Sequence, residues 1–227
     1  NTMVIFMSDH GESLGDHGLR RKGCRFYEGL VRVPLIIWYP SYFKENLYSE
    51  ALVELIDIVP TLLEITGLPI EENIQGESLI PILTGAKPAD FHKEFVRSEF
   101  YNTLILRQNQ PIGFATMYRD SSYKLVNYHG HEKGELFDLE NDPEELTDLG
   151  ASPEHSDIIA DLYDHLFAWA RRPSQRTTRS EAQLVEMRTK ARRRGVVLGV
   201  YDENDVPLEL TVKYRNRKSV RRGPSSQ

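Results

Sequence analysis

Two kinds of hydrophobic pattern follow one another along this chain. Met3 to Met7 is a short, unbroken apolar run, the form taken by a parallel strand buried on both faces. Polar and glycine-rich residues follow at once, from Ser8-Asp9-His10-Gly11-Glu12 to Gly15-Asp16-His17-Gly18. Ligands of open α/β sheets bind just beyond the carboxyl ends of such strands, and this segment occupies that place. Val33 to Tyr39, closed by Pro40, reads as a second buried strand, and a further short one is expected around Ala51 to Leu55. Asp57 stands where an N-cap belongs, with Pro60 in the first turn and Gly67 ending a helix over Ile58 to Thr66. Strand, loop, strand and helix in this order predict an α/β domain over residues 1–88.

The pattern changes after Gly85-Ala86-Lys87-Pro88. Glu94 to Tyr101, Gly113 to Tyr118 and Tyr123 to Tyr128 are rich in aromatic and β-branched residues, and Arg119-Asp120-Ser121-Ser122 makes a turn between the last two. Glu135 to Leu139 adds a strand, stopped by the turn Glu140-Asn141-Asp142-Pro143. A small antiparallel sheet is predicted. From Glu154 to Trp169 the apolar residues Ile158, Ile159, Leu162, Leu166 and Trp169 keep a helical period, which predicts an amphipathic helix packed on that sheet and closes a subdomain over residues 89–170. Residues 171–227 form a basic C-terminal extension: Arg171 to Arg194 holds nine Lys or Arg against two Glu and reads as a solvated helix or tail.

Composition narrows the function classes. The chain has 227 residues, 40% of them hydrophobic, enough to bury a core. A formal net charge of -6 gives no overall attraction to nucleic acid or to an anionic membrane, so anion binding has to be local. The longest apolar runs fall far short of the roughly 20 residues that a membrane helix needs. Its single cysteine, Cys24, excludes an intrachain disulfide. The chain opens without a methionine or a secretory signal, on a strand that reads as entered in mid-domain, so a preceding portion is expected. Neither compartment nor oligomeric state is assigned by these features.

Asp9 and His10 sit at the mouth of the first strand, where a carboxylate and an imidazole can reach one divalent ion while Gly11 allows close approach. Taken alone, the pair is better explained by turn-making and hydrogen bonding, and two donors do not complete a site for a hard cation. Lys22 lies twelve residues beyond His10, after a loop that can fold back toward the strand end. It reads either as a point charge for a bound anion or as a surface lysine beside Arg20 and Arg21. His17 is expected to shape the loop, and Glu28 with Arg32 to form an ion pair steadying it.

Taken together, Ser8-Asp9-His10-Gly11-Glu12, Gly15-Asp16-His17-Gly18, Lys22, Tyr27-Glu28 and Arg32-Val33-Pro34-Leu35-Ile36 closely resemble the later metal-site segment of the sulfatase family in the alkaline phosphatase superfamily. Asp57 to Leu63, Gly67, Gly76-Glu77-Ser78-Leu79, Leu136 to Leu139 and Asn141-Asp142-Pro143-Glu144 resemble further stretches of that family in the same order, so the resemblance runs to about residue 150.

The resemblance implies the C-terminal part of an alkaline-phosphatase-like α/β/α domain followed by a small antiparallel sheet with a packed helix. It implies Asp9 and His10 as ligands of an active-site divalent cation, usually calcium in sulfatases, and Lys22 as the catalytic, sulfate-binding residue for a sulfate ester substrate. Many members carry Asn where this chain has His10, which keeps manganese and magnesium in play because imidazole suits softer ions. The family's nucleophile, a formylglycine made in a Cys/Ser-x-Pro-x-Arg motif, is not in this chain, since Cys24 is followed by Arg25-Phe26-Tyr27-Glu28. The expected parent is therefore a sulfuric ester hydrolase and the isolated chain is expected to be inactive. Phosphonate or phosphate ester hydrolysis, and a non-catalytic anion-binding partner, are the alternatives.

Overall fold

The computed structural model describes residues 2–71, 73–101 and 113–172, together with positions 182, 183 and 186. Most of the basic extension expected over residues 171–227 thus lies outside the described residues. The elements described below all belong to one compact unit, Asn1–Ser180.

Strand β1, Val4–Met7, pairs with β2, Leu35–Trp38, and the pairing is antiparallel, with Val4 opposite Trp38 and Met7 opposite Leu35. The expected parallel strand buried on both faces is corrected in both respects. An unbroken apolar run says that a strand has no polar face, but it carries no information about the direction of its neighbour. Register puts Val4, Phe6, Ile36 and Trp38 on one face of the ribbon, and they are 49%, 60%, 59% and 55% exposed. The strand expected at Ala51 to Leu55 does not form either; a short 3-10 turn, Leu55–Asp57, leads instead into helix α2, Ile58–Ile65. Helix α2 ends as predicted: Gly67 adopts φ 71°, its N–H meets the Glu64 carbonyl at 3.0 Å, and the Leu68 N–H meets the Leu63 carbonyl at 2.9 Å. Two four-residue helices complete this part, α1 at Glu28–Val31 and α3 at Ile80–Leu83.

Four strands, β3 at Val96–Tyr101, β4 at Phe114–Arg119, β5 at Tyr123–Tyr128 and β6 at Glu135–Asp138, form one antiparallel sheet in sequence order. Its register aligns Tyr118, Leu125 and Leu136 in a single row. Side chains alternate faces along a strand, so this row faces one layer and Met117 with Val126 faces the other. Helix α4, Ser156–Ala170, covers the first face, its Leu162, Leu166 and Trp169 packing with that row. Phe26, Ala115, Met117 and Val126 form the core on the second face, joined by Cys24 and Val31. The segment carrying Cys24 to Val31 is therefore seated on the sheet.

Asp57 occupies the N-cap of α2 but does not cap it through its side chain. Wholly buried, the carboxylate accepts from the Glu54 amide at 2.8 Å, the Glu77 amide at 2.8 Å and Lys93 Nζ at 2.8 Å, and lies 3.4 Å from His92 Nε2. Burial alone would push the Asp57 carboxyl up, but the His92 ring, the Lys93 ammonium and the two amides outweigh it and hold it below the usual carboxylate range. Arg97 joins this network through Glu54 Oε1 at 2.7 Å and stacks over Trp169 at 4.4 Å, tying β3 to α4.

Candidate functional site

The loop after β1 doubles back through glycines in left-handed conformations, Gly15 at φ 110°, Gly18 at 71° and Gly23 at 57°. Ser13 Oγ donates to the Arg21 carbonyl at 3.1 Å and pins the returning limb. Lys22 is thereby delivered to the strand end. Its Nζ lies 2.5 Å from His10 Nε2.

An ammonium can only donate, so His10 Nε2 accepts; Nδ1, 2.8 Å from the Gly11 carbonyl, then carries the proton. One neutral tautomer satisfies both contacts. The lone pair on Nε2 faces Lys22 and lies 3.5 Å from Asp9 Oδ2. Asp9 is 84% exposed and His10 is 41% exposed at their side chains, so this corner opens outward. Asp9, His10 and Lys22 are all brought together.

A carboxylate oxygen and an imidazole nitrogen on one side of a strand end suit a divalent cation, but Nε2 has one lone pair and it faces Lys22 here, so His10 becomes a ligand only with Nζ turned away from it. Among the described residues no group of three or more His, Cys, Asp or Glu side chains is placed to hold a metal ion. Asp9 and His10 are thus two donors, short of a complete metal site.

His17 lies flat against Tyr27, ring centroids 3.7 Å apart at 6°, in a left-handed residue at φ 48°, and so shapes the loop as expected. Burial pushes the Cys24 thiol up, which leaves it poorly suited to nucleophilic attack. The expected Glu28–Arg32 pair is corrected. Glu28 Oε1 instead lies 2.8 Å from Lys124 Nζ and 3.4 Å from Arg119 Nε, both from the sheet. Burial opposes ionisation of Glu28, but Lys124 above all, then Arg119 and Arg32, hold its carboxyl below the ordinary range.

Lys124 is the residue that the sequence reading passed over. It is wholly buried; its ammonium donates to the Phe26 carbonyl at 2.9 Å and to Glu145 Oε1 at 2.7 Å, and Glu28 Oε1 lies beside it at 2.8 Å as an ion-pair partner. A signal was present, since alternation along β5 puts a lysine on the same face as buried Val126.

A family model for N-sulphoglucosamine sulphohydrolase, C-terminal, matches residues 15–172. The chain belongs to the sulfatase family. It is 36% identical over 161 residues to arylsulfatase K of Bos taurus, covering 66% of this chain and 28% of that protein. A putative sulfatase from Bacteroides thetaiotaomicron superposes with a TM-score of 0.65 at 27% identity, over 74% of this chain and 36% of the other. The phosphonate monoester hydrolase SpPMH from Silicibacter pomeroyi superposes with a TM-score of 0.64 at 28% identity, over 74% and 34%. This sulfatase-family chain thus spans about a third of the length of such relatives and shares their α/β fold over the matched span. Among its described residues no helix is long and apolar enough to cross a membrane.

Proposed function

We propose that this chain is the C-terminal part of a sulfuric ester hydrolase, in which Asp9 and His10 hold a divalent cation, calcium by preference, and Lys22 binds the sulfate. The meeting of Asp9 Oδ2, His10 Nε2 and Lys22 Nζ at one strand end carries this reading. A cation bound there supplies charge neutralisation for sulfate oxygens and for the nucleophile. Lys22 contributes a fixed positive charge whose attraction grows as negative charge builds toward the leaving oxygen. The Gly11 carbonyl holds the His10 ring in the tautomer that presents Nε2. The formylglycine nucleophile and the remaining ligands belong to an earlier segment of the complete enzyme. The exposed apolar face of Val4, Phe6, Ile36 and Trp38 is the surface that such a segment would cover, since contiguous apolar patches mark interfaces.

In the complete enzyme, Asp9→Ala and His10→Ala should weaken calcium binding in a calorimetric titration. Lys22→Ala should lower kcat on the order of a hundredfold with metal affinity nearly intact, the effect of losing one transition-state donor. Asp9→Ala and His10→Ala that bind calcium like the parent would refute the ligand assignment. A second reading, phosphonate or phosphate ester hydrolysis, is favoured by the likeness to a phosphonate monoester hydrolase. The ratio of kcat/KM for an aryl sulfate to that for an aryl phosphonate decides between them.

A further inference from the structure

We infer that Lys124 is a positioning residue for the corner formed by Asp9, His10 and Lys22, acting through helix α1 and Gly11; this rests on the cation-site reading above. A wholly buried ammonium held by two hydrogen bonds and an ion pair is an anchor with a defined direction. Two of those partners, the Phe26 carbonyl and the Glu28 carboxylate, belong to the segment that starts α1. The third, Glu145, closes the loop, because its Oε2 accepts the Glu28 backbone N–H at 2.6 Å. Glu145 itself adopts φ 56°, a left-handed conformation costly for a residue with a Cβ. The backbone departs from its ordinary range just where this carboxylate reaches both Lys124 and α1.

From α1 the connection runs directly to the corner. The Leu30 carbonyl accepts the Gly11 N–H at 2.8 Å, and Gly11 packs so closely that a Cβ there would stand within 1.9 Å of the Gly29 carbonyl oxygen. Gly11 in turn supplies the carbonyl that orients the His10 ring. The sheet strand β5 thus reaches the imidazole through Lys124, Glu28, Leu30 and Gly11. Arg119, in the same sheet row as Lys124, balances the second carboxylate.

Calcium titration of the complete enzyme tests this, with Tm recorded for every variant. Lys124→Met, which keeps length and removes charge, should weaken calcium binding at least tenfold and lower kcat with KM for the sulfate ester little changed. Glu145→Gln removes one carboxylate from the cluster and should shift affinity the same way by a smaller factor, so it carries the test if Lys124→Met does not fold. Leu162→Ala, from the core on the opposite face of the sheet, gives a destabilised control that should keep the parent's calcium affinity. A merely structural role moves Tm alike in the control and the charge variants and leaves affinity untouched in all of them. Affinity equal to the parent's in Lys124→Met and Glu145→Gln, or lost equally in Leu162→Ala at a matched fall in Tm, overturns the positioning role. If Asp9→Ala loses calcium while Lys124→Met does not, the positioning role alone falls. If Asp9→Ala keeps calcium, the corner is not a cation site and both readings fall.

Discussion

Replacing Asp57 by Asn changes one atom and leaves the volume almost untouched, so its effect isolates the charge at the centre of the Glu54, Lys93 and Arg97 network. Both oxygens of Asp57 are committed to donors: Oδ2 accepts the Glu54 amide at 2.8 Å and Oδ1 accepts the Glu77 amide and Lys93 Nζ, each at 2.8 Å. Whichever oxygen becomes an NH2 group, it faces an N–H with no acceptor between them. Removing one partner of a buried, hydrogen-bonded ion pair costs about 3–5 kcal/mol. For a protein of this size each kcal/mol lowers Tm by roughly 2–4 °C, so Asp57→Asn should melt about 6–20 °C below the parent at pH 7. Because the folded-state pKa of Asp57 is depressed, its contribution is complete above the unfolded value near 3.9 and is lost as pH falls through the lower folded value. The Tm gap measured by circular dichroism should therefore hold from pH 7 to about pH 5 and narrow below about pH 4. A gap under about 2 °C at pH 7, or one that widens on acidification, would refute the reasoning.

Gly11→Ala should lower stability by about 1–3 kcal/mol in urea unfolding, the usual penalty for forcing an atom into a packed site, because its Cβ would meet the Gly29 carbonyl oxygen at 1.9 Å. Gly29→Ala, whose Cβ would meet only Asp16 Oδ2 at 3.4 Å, is the control and should be close to neutral. The purified 227-residue chain should show no metal-dependent turnover of an aryl sulfate above a matched blank, for want of a nucleophile; turnover abolished by Asp9→Ala would contradict this.

The small sheet and α4 were legible in the sequence because their composition and period are local. Aromatic and β-branched residues mark β4 and β5, the 3.6-residue period marks α4, and the turns Arg119 to Ser122 and Glu140 to Pro143 separate the strands. The β1 and β2 ribbon was legible only as two strands. Its direction depends on pairing between segments some thirty residues apart, and a run that is apolar at every position fits either direction and either face. Asp9, His10 and Lys22 could be singled out through motif resemblance, while their meeting depends on backbone turns at Gly15, Gly18 and Gly23.

The two buried ionic clusters escaped the reading for a common reason. Local spacing pairs Glu28 with Arg32, yet its cation comes from a strand 96 positions away; the sequence makes Asp57 a helix cap, yet its partners Lys93 and His92 stand 36 and 35 positions on. A charge is tolerated in the interior when several opposed groups converge on it, and such groups come from segments that only the tertiary fold brings together. The clusters are balanced in the same way, Lys124 and Arg119 against Glu28 and Glu145, Lys93 and Arg97 against Asp57 and Glu54, yet they brace different things. The Asp57 cluster joins the start of α2 to β3 and, through Arg97 over Trp169, to α4. The Lys124 cluster joins β5 to α1 and, through Leu30 and Gly11, to His10. Equal losses of stability at the two clusters should therefore have unequal consequences at the corner: disrupting the first leaves the hydrogen bond that orients His10 in place, whereas disrupting the second removes its support.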